Sequence, residues 1–189
     1  GGSNTWEWGV NDSESNWITG NWQFTVPDQT PQTLTWLIPD VVDLVINEIM
    51  YNSPGTDEEW IELYNNTDQT IDLENWDICD NDASHTHIII PAGYSVDPDS
   101  YFTISIATGG AFPFTPDYDG TGNFALNNTG DAVRIWNPSH LLVDIVVFDD
   151  SSPWPSEPDG GGPTLSLFQP YLDNALAENW RASNQDIGT

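Results

Sequence analysis

The stretch 45-VINEIMYNSPGTDEEWIELYNNT-67 alternates apolar and polar residues on both sides of the turn cluster 52-NSPGTD-57. Because side chains on a strand point to opposite faces in turn, this pattern predicts two strands joined by a loop. The same stretch sets Glu48, Asp57, Glu58, Glu59 and Glu62 among apolar neighbours. Period two puts Glu48 on a face with Ile46 and Met50, and Glu62 on a face with Trp60 and Tyr64. A glycosidase needs one pair of carboxylates facing a sugar cleft about 5 to 10 Å apart. The competing reading is that these glutamates bind backbone or loop groups at one end of a β-structure and mark the fold, and it is the one favoured here.

Outward from this stretch, strand signals dominate. The runs 33-TLTWLI-38, 43-DLVINEIMY-51, 59-EWIELY-64, 86-THIII-90, 101-YFTISI-106, 132-AVRIW-136, 141-LLVDIVVF-148 and 164-TLSLF-168 are rich in β-branched and aromatic residues. Turn clusters separate them, among them 65-NNTDQ-69, 96-VDPDS-100, 116-PDYDGTGN-123 and 149-DDSSPWPSEPDGGGP-163. Short strands at this spacing predict an all-β, antiparallel sandwich or barrel. The composition shifts near residue 40. Residues 1–40 hold half of the 10 tryptophans and three strand candidates, 5-TWEWGV-10, 20-GNWQFTV-26 and 33-TLTWLI-38. Three strands alone do not bury that much aromatic surface. This segment is therefore expected to pack on the domain that follows, to end an upstream β-domain, or to pair with another chain.

The charge balance restricts partners. Across 189 residues there are 30 Asp plus Glu against 2 Lys plus Arg, for a net charge of −28, and the two cations are Arg134 and Arg181. Such a surface repels nucleic-acid backbones and anionic membranes, so neither nucleic acid nor membrane insertion is expected. With 38% hydrophobic and 12% aromatic residues the chain is too apolar for a disordered acidic tail. Few carboxylates can find a basic partner, so salt or bound divalent ions must relieve the repulsion, and outside a cell Ca²⁺ is the abundant hard cation. Acidity for solubility in saline water is the alternative. The single cysteine, Cys79, excludes an internal disulfide and is expected to pack as a small apolar residue in its strand. No signal peptide or apolar run of 18 residues is present, and Gly1-Gly2-Ser3 reads as a cut end or linker, so the chain is expected to be soluble as given or a fragment without its targeting ends.

In chain order, 45-VINEIMYN-52, 59-EWIELYN-65, 71-IDLENWDICD-80, 90-IPAG-93, 123-NFALNNTGDAVRIWN-137, 143-VDIVVF-148, 154-WPSEPDGGGPTLSL-167 and 179-NWRASN-184 resemble the lamin-tail domain. That family has an immunoglobulin-like β-sandwich and occurs in nuclear lamins and in many secreted bacterial proteins. The resemblance spans about residues 41–184 and implies a lamin-tail-like sandwich over 41–189, with extra N-terminal β-strands in 1–40. It places Trp60, Trp76 and Trp180 at core positions. Asn75 stands where the family has a glycine before Trp76, and asparagine tolerates the φ > 0 such a turn needs. The insert 107-ATGGAFPFTPDYDGTG-122 exceeds the family pattern. Residues 22-WQFTVPDQTPQTLTW-36 resemble the closing strands of an upstream β-sandwich module.

Three constellations are candidates for chemistry. In 117-DYDGTGN-123, Asp117, Asp119, Thr121 and Asn123 take positions 1, 3, 5 and 7 of an EF-hand-type Ca²⁺ loop with Gly122 at 6, although Asn128 stands where a bidentate glutamate belongs. An ordinary Gly-rich hairpin is the competing reading. In 80-DNDASHTH-87, Asp80, Asp82, His85 and His87 form a sparser set suited to a transition metal. Trp6, Trp8, Trp17, Trp22 and Trp154 are free of the family core pattern and could present rings to a glycan or a partner. Nucleophilic catalysis lacks its parts, since no Gly-x-Ser-x-Gly elbow occurs. Asn11, Asn65 and Asn127 begin sequons that bacterial proteins leave unused. The expectation is a non-enzymatic, extracellular structural or adhesion module of a secreted or surface bacterial protein. It would contact neighbouring domains or copies of itself, by strand addition and with Ca²⁺ support; a carbohydrate-binding accessory module of a secreted hydrolase is the alternative.

Overall fold

In the computed structural model the chain divides into two compact units, Gly1–Leu37 and Ile38–Thr189. The structure describes residues 43–55, 58–107, 112 and 114–184, together with the backbone of two N-terminal strands. Those strands are β1 (Asn4–Asn11) and β2 (Trp17–Phe24), an antiparallel pair in which Trp6 faces Trp22 and Asn11 faces Trp17. The expected strand 33–38 and the acidic Asp57 lie outside the described residues.

The second unit begins with β3 (Leu44–Met50) and β4 (Glu59–Asn65), the two strands of the opening stretch. Along the chain follow β5 (Ile71–Asp72), β6 (Asp77–Cys79), β7 (Ile88–Ile89), β8 (Ser95–Val96) and β9 (Tyr101–Ala107). The last are β10 (Tyr118–Asp119), β11 (Gly130–Trp136), β12 (Leu142–Asp149), β13 (Leu165–Leu167) and β14 (Trp180–Ala182). A six-stranded sheet of order β10-β9-β4-β3-β13-β14 and a four-stranded sheet of order β12-β11-β6-β7 make the sandwich, and β5 and β8 form a small separate pair. The all-β sandwich is as expected. One ladder departs from the antiparallel expectation, because β10 runs parallel to β9.

The core fills from the inner faces of both sheets. Ile46, Ile49, Ile61, Leu63, Ile104 and Leu165 come from the larger sheet, and Ile78, Ile88, Val133, Ile135, Val146 and Phe148 from the smaller. Alternation along β3 breaks once. Ile46 pairs with Leu63 and Glu48 with Glu62, leaving Asn47 as an extra, bulged residue. The bulge corrects the face predicted for Glu48, which stays with Met50 on the outer face while Ile46 turns into the core. It also frees the Ile46 N–H, which donates to Asp144 Oδ2 at 2.7 Å. Asn174 Nδ2 donates to the same oxygen at 2.7 Å and to the Ile46 carbonyl at 3.3 Å. Asp144 belongs to β12, so this buried knot ties the two sheets together.

Asn75 adopts φ 61, the left-handed conformation expected of the turn before Trp76. Its N–H donates to the Ile90 carbonyl at 2.8 Å, and Trp76 packs in the core below. Cys79 lies in β6 and is 3% exposed, but on the outer face and apart from the core cluster. It is a small buried residue within its strand, as expected, and the register adds its direction: Ile78, not Cys79, points into the core cluster.

Candidate functional site

Each carboxylate of the opening stretch that the structure describes has structural work. Glu59 Oε2 accepts from the Leu126 N–H at 2.6 Å, which fastens the loop before β11 to β4. Glu58 Oε2 accepts from Ser53 Oγ at 3.1 Å across the β3–β4 connection. Glu48 accepts from Thr164 Oγ1, and Glu62 Oε1 accepts from Asn47 Nδ2 at 2.8 Å. Glu48 and Glu62 face each other across the β3–β4 ladder, both buried. Burial pushes the Glu62 carboxyl up to about 7 against the Asn47 hydrogen bond that lowers it, and the charges of Glu48 and Asp117 push it further up. Burial likewise raises Glu48, with Thr164 opposing.

In the loop expected to hold Ca²⁺, Asp117, Asp119 and Asn123 make hydrogen bonds within the chain. Asp117 Oδ2 accepts from the Thr103 N–H and Oγ1, both at 2.8 Å. Asp119 Oδ1 accepts from Ser105 Oγ at 3.1 Å and from Thr121 N at 3.1 Å and Oγ1 at 2.7 Å. Asn123 turns its Nδ2 to the Gly120 carbonyl at 2.8 Å. Asp117 and Asp119 are thus side-chain ties that fix β10 against β9. Gly120 permits that approach, since a Cβ there would lie 2.7 Å from both Ile88 Cδ1 and the Ser105 carbonyl oxygen.

The segment 80–87 splits into two groups. His85 Nδ1 sits 2.5 Å from Asp80 Oδ2, and its Nε2 lies 3.9 Å from Asp82 Oδ2. The hydrogen bond to Asp80 raises the His85 pKa. His87 instead turns to Asp77, with Nδ1 at 2.8 Å from Oδ1 and 3.0 Å from Oδ2. Asp77, Cys79 and His87 each offer a ligand atom within 4.8 Å of the other two. Sequence reasoning missed Asp77 and Cys79 as companions of His87. The signal was the period-two pair in 77-DIC-79, but locating His87 beside it requires the β6–β7 register.

Of the tryptophans, Trp60, Trp76 and Trp180 are buried, as the family positions imply. Trp60 belongs to the outer face of its sheet, where Phe114 from the 107–122 insert meets it edge-on at 5.2 Å. Trp154 is half-buried, packed on the core with its ring 6.0 Å from that of Trp180, so only part of it is available to a ligand. The side chains of Trp6, Trp8, Trp17 and Trp22 lie outside the described residues.

A family model, the Lamin Tail Domain, matches residues 39–150. The chain belongs to the lamin tail domain family. The matched segment runs from before β3 to the end of β12, and β13 and β14 follow it to complete the six-stranded sheet. A search of the curated proteins finds no match. Lamin tail domains are immunoglobulin-like modules of the structural and protein-interaction kind, typically without enzymatic activity.

Proposed function

We propose that this lamin tail domain chain is a non-enzymatic adhesion or assembly module of a secreted or surface bacterial protein, working outside the cell. The observation that carries the reading is the employment of Glu48, Glu58, Glu59 and Glu62 as hydrogen-bond acceptors within the sandwich, where a hydrolase would turn such groups toward a substrate. Two further features support assembly by strand addition. A two-stranded ribbon such as β1–β2 is marginal on its own in water, so a neighbouring domain or a second copy is its natural partner. Among the described residues β12 is an edge strand of the smaller sheet, and it exposes Leu142 and Val147. Ca²⁺ is the proposed counterion for an extracellular surface of charge −28.

Light scattering of the full chain over a range of concentrations tests the assembly. Mass should rise with concentration in wild type and fall back to the monomer in Val147→Lys. A strict monomer at all concentrations would sink the strand-addition reading. Turnover of a glycoside or phosphoester that disappears in Glu48→Gln would overturn the non-enzymatic one. Glycan binding lost on Trp→Ala at Trp6 or Trp22 would favour the carbohydrate-binding alternative.

A further inference from the structure

The outer face of the smaller sheet holds a donor set that the module reading does not use. Asp77 and Cys79 are two residues apart on β6 and so share a face. In the β6–β7 ladder Asp77 faces Ile89 and Ile78 faces Ile88; continuing that register by one residue sets His87 opposite Cys79. Oxygen, sulfur and nitrogen donors therefore converge through the backbone pairing itself, within 4.8 Å of one another. They line a cavity of about 400 Å³ that also contains His140, Trp136 and Arg134. His140 is held at φ 58 in the turn between β11 and β12. Cys79 forms the buried floor, while the His87 side chain is 38% exposed at the mouth and leaves an entry path.

We propose that Asp77, Cys79 and His87 bind a borderline-soft divalent transition metal of the Zn²⁺ class, its fourth position open to the cavity that His140 lines. The donor types decide the class of ion. A hard cation such as Ca²⁺ takes oxygen ligands, whereas a thiolate with an imidazole and one carboxylate is a tetrahedral set for Zn²⁺. Bonds of about 2.0 to 2.3 Å separate tetrahedral ligand atoms by roughly 3.3 to 3.8 Å, so the most distant donors need to close by up to about 1.5 Å. The exposed imidazole supplies that movement: on binding, the hydrogen bond between His87 Nδ1 and Asp77 gives way to a metal bond from each, with the imidazole proton on Nε2. On binding, the Cys79 S–H bond breaks, its proton goes to solvent and the sulfur lone pair forms the metal bond. Arg134, opposite Cys79 on β11, repels an incoming cation but favours the thiolate, and its Nη2 is committed to Asn81 Oδ1 at 2.5 Å.

Cobalt titration of the reduced full chain reads this directly, because a sulfur-to-cobalt charge-transfer band can come only from the single cysteine. The band should saturate at one equivalent, disappear when Zn²⁺ is added, and resist a large excess of Ca²⁺. Cys79→Ser should abolish it. His87→Ala and Asp77→Asn, both at least partly exposed and expected to fold, should each weaken Co²⁺ binding about tenfold or more, with circular dichroism confirming the fold. Absence of the band at millimolar Co²⁺ would overturn the proposal. So would a band whose affinity is unchanged in both His87→Ala and Asp77→Asn, or one that Ca²⁺ displaces.

Discussion

Asn75 shows how a single residue sets the path of the chain. With φ at 61 it turns the backbone so that its N–H reaches Ile90 and Trp76 drops into the core. Asn75→Gly should leave thermal stability within about 1 kcal/mol of wild type, and Asn75→Val should cost about 1 to 3 kcal/mol, because a β-branched residue is strained in that region. Chemical denaturation of the two variants checks the contrast. Equal stabilities would mean that the turn is not held in this conformation. The role of this residue is legible in the sequence alone, since a glycine position filled by asparagine has few physical explanations. Cys79 is legible only in part. Its place in a strand can be read from 71-IDLENWDICD-80, but which side it faces follows from Ile78 being claimed by the core.

At the scale of elements, the β3–β4 pair brings Glu48 and Glu62 face to face in a buried setting, which holds a proton on Glu62 up to about pH 7. The folded state then binds that proton more tightly than the unfolded chain, whose glutamate titrates near 4.5. Stability from this group is therefore greatest at low pH. It declines as pH rises from about 4.5 to about 7, and above that window the buried charge costs up to about 3 kcal/mol. Glu62→Gln should flatten this part of the stability profile and raise the melting temperature at pH 8, with little change at pH 5. An unchanged profile would show that Glu62 is solvated in the folded chain. The strands themselves are plain in the sequence, whereas the bulge at Asn47 is not. Alternation counts residues as though none were extra, and the Ile46 N–H beside the bulge is taken up by Asp144, far away in the chain. The metal-capable group is hidden for the same reason: by proximity His87 looks like a companion of Asp80 and Asp82, and a strand register joins it to Asp77 and Cys79 instead.

For the whole molecule, charge is the dominant variable. Among the described residues the ion pairs are contacts of His85 and His87 with aspartates; Arg134 bonds Asn81, and Arg181 lies 4.7 Å over the Phe168 ring. Repulsion is left to the solvent, so the melting temperature should climb as NaCl is raised from about 0.01 M to about 1 M, over which the screening length shrinks from about 30 Å to about 3 Å. At matched ionic strength CaCl₂ should raise it further. Equal effects of the two salts would remove Ca²⁺ from the account. The parallel strand β10 bears on the same balance. Without it β9, seven residues long, would end the larger sheet as an open template for pairing between molecules. A parallel neighbour needs a long return, and the loop between Ala107 and Tyr118 gives that length. The insert that looked like surplus therefore acts as a guard rail. It lays Asp117 and Asp119 along the rim, so two copies meeting there would bring like charges together, which opposes the amyloid-like stacking that β-prone sequence invites.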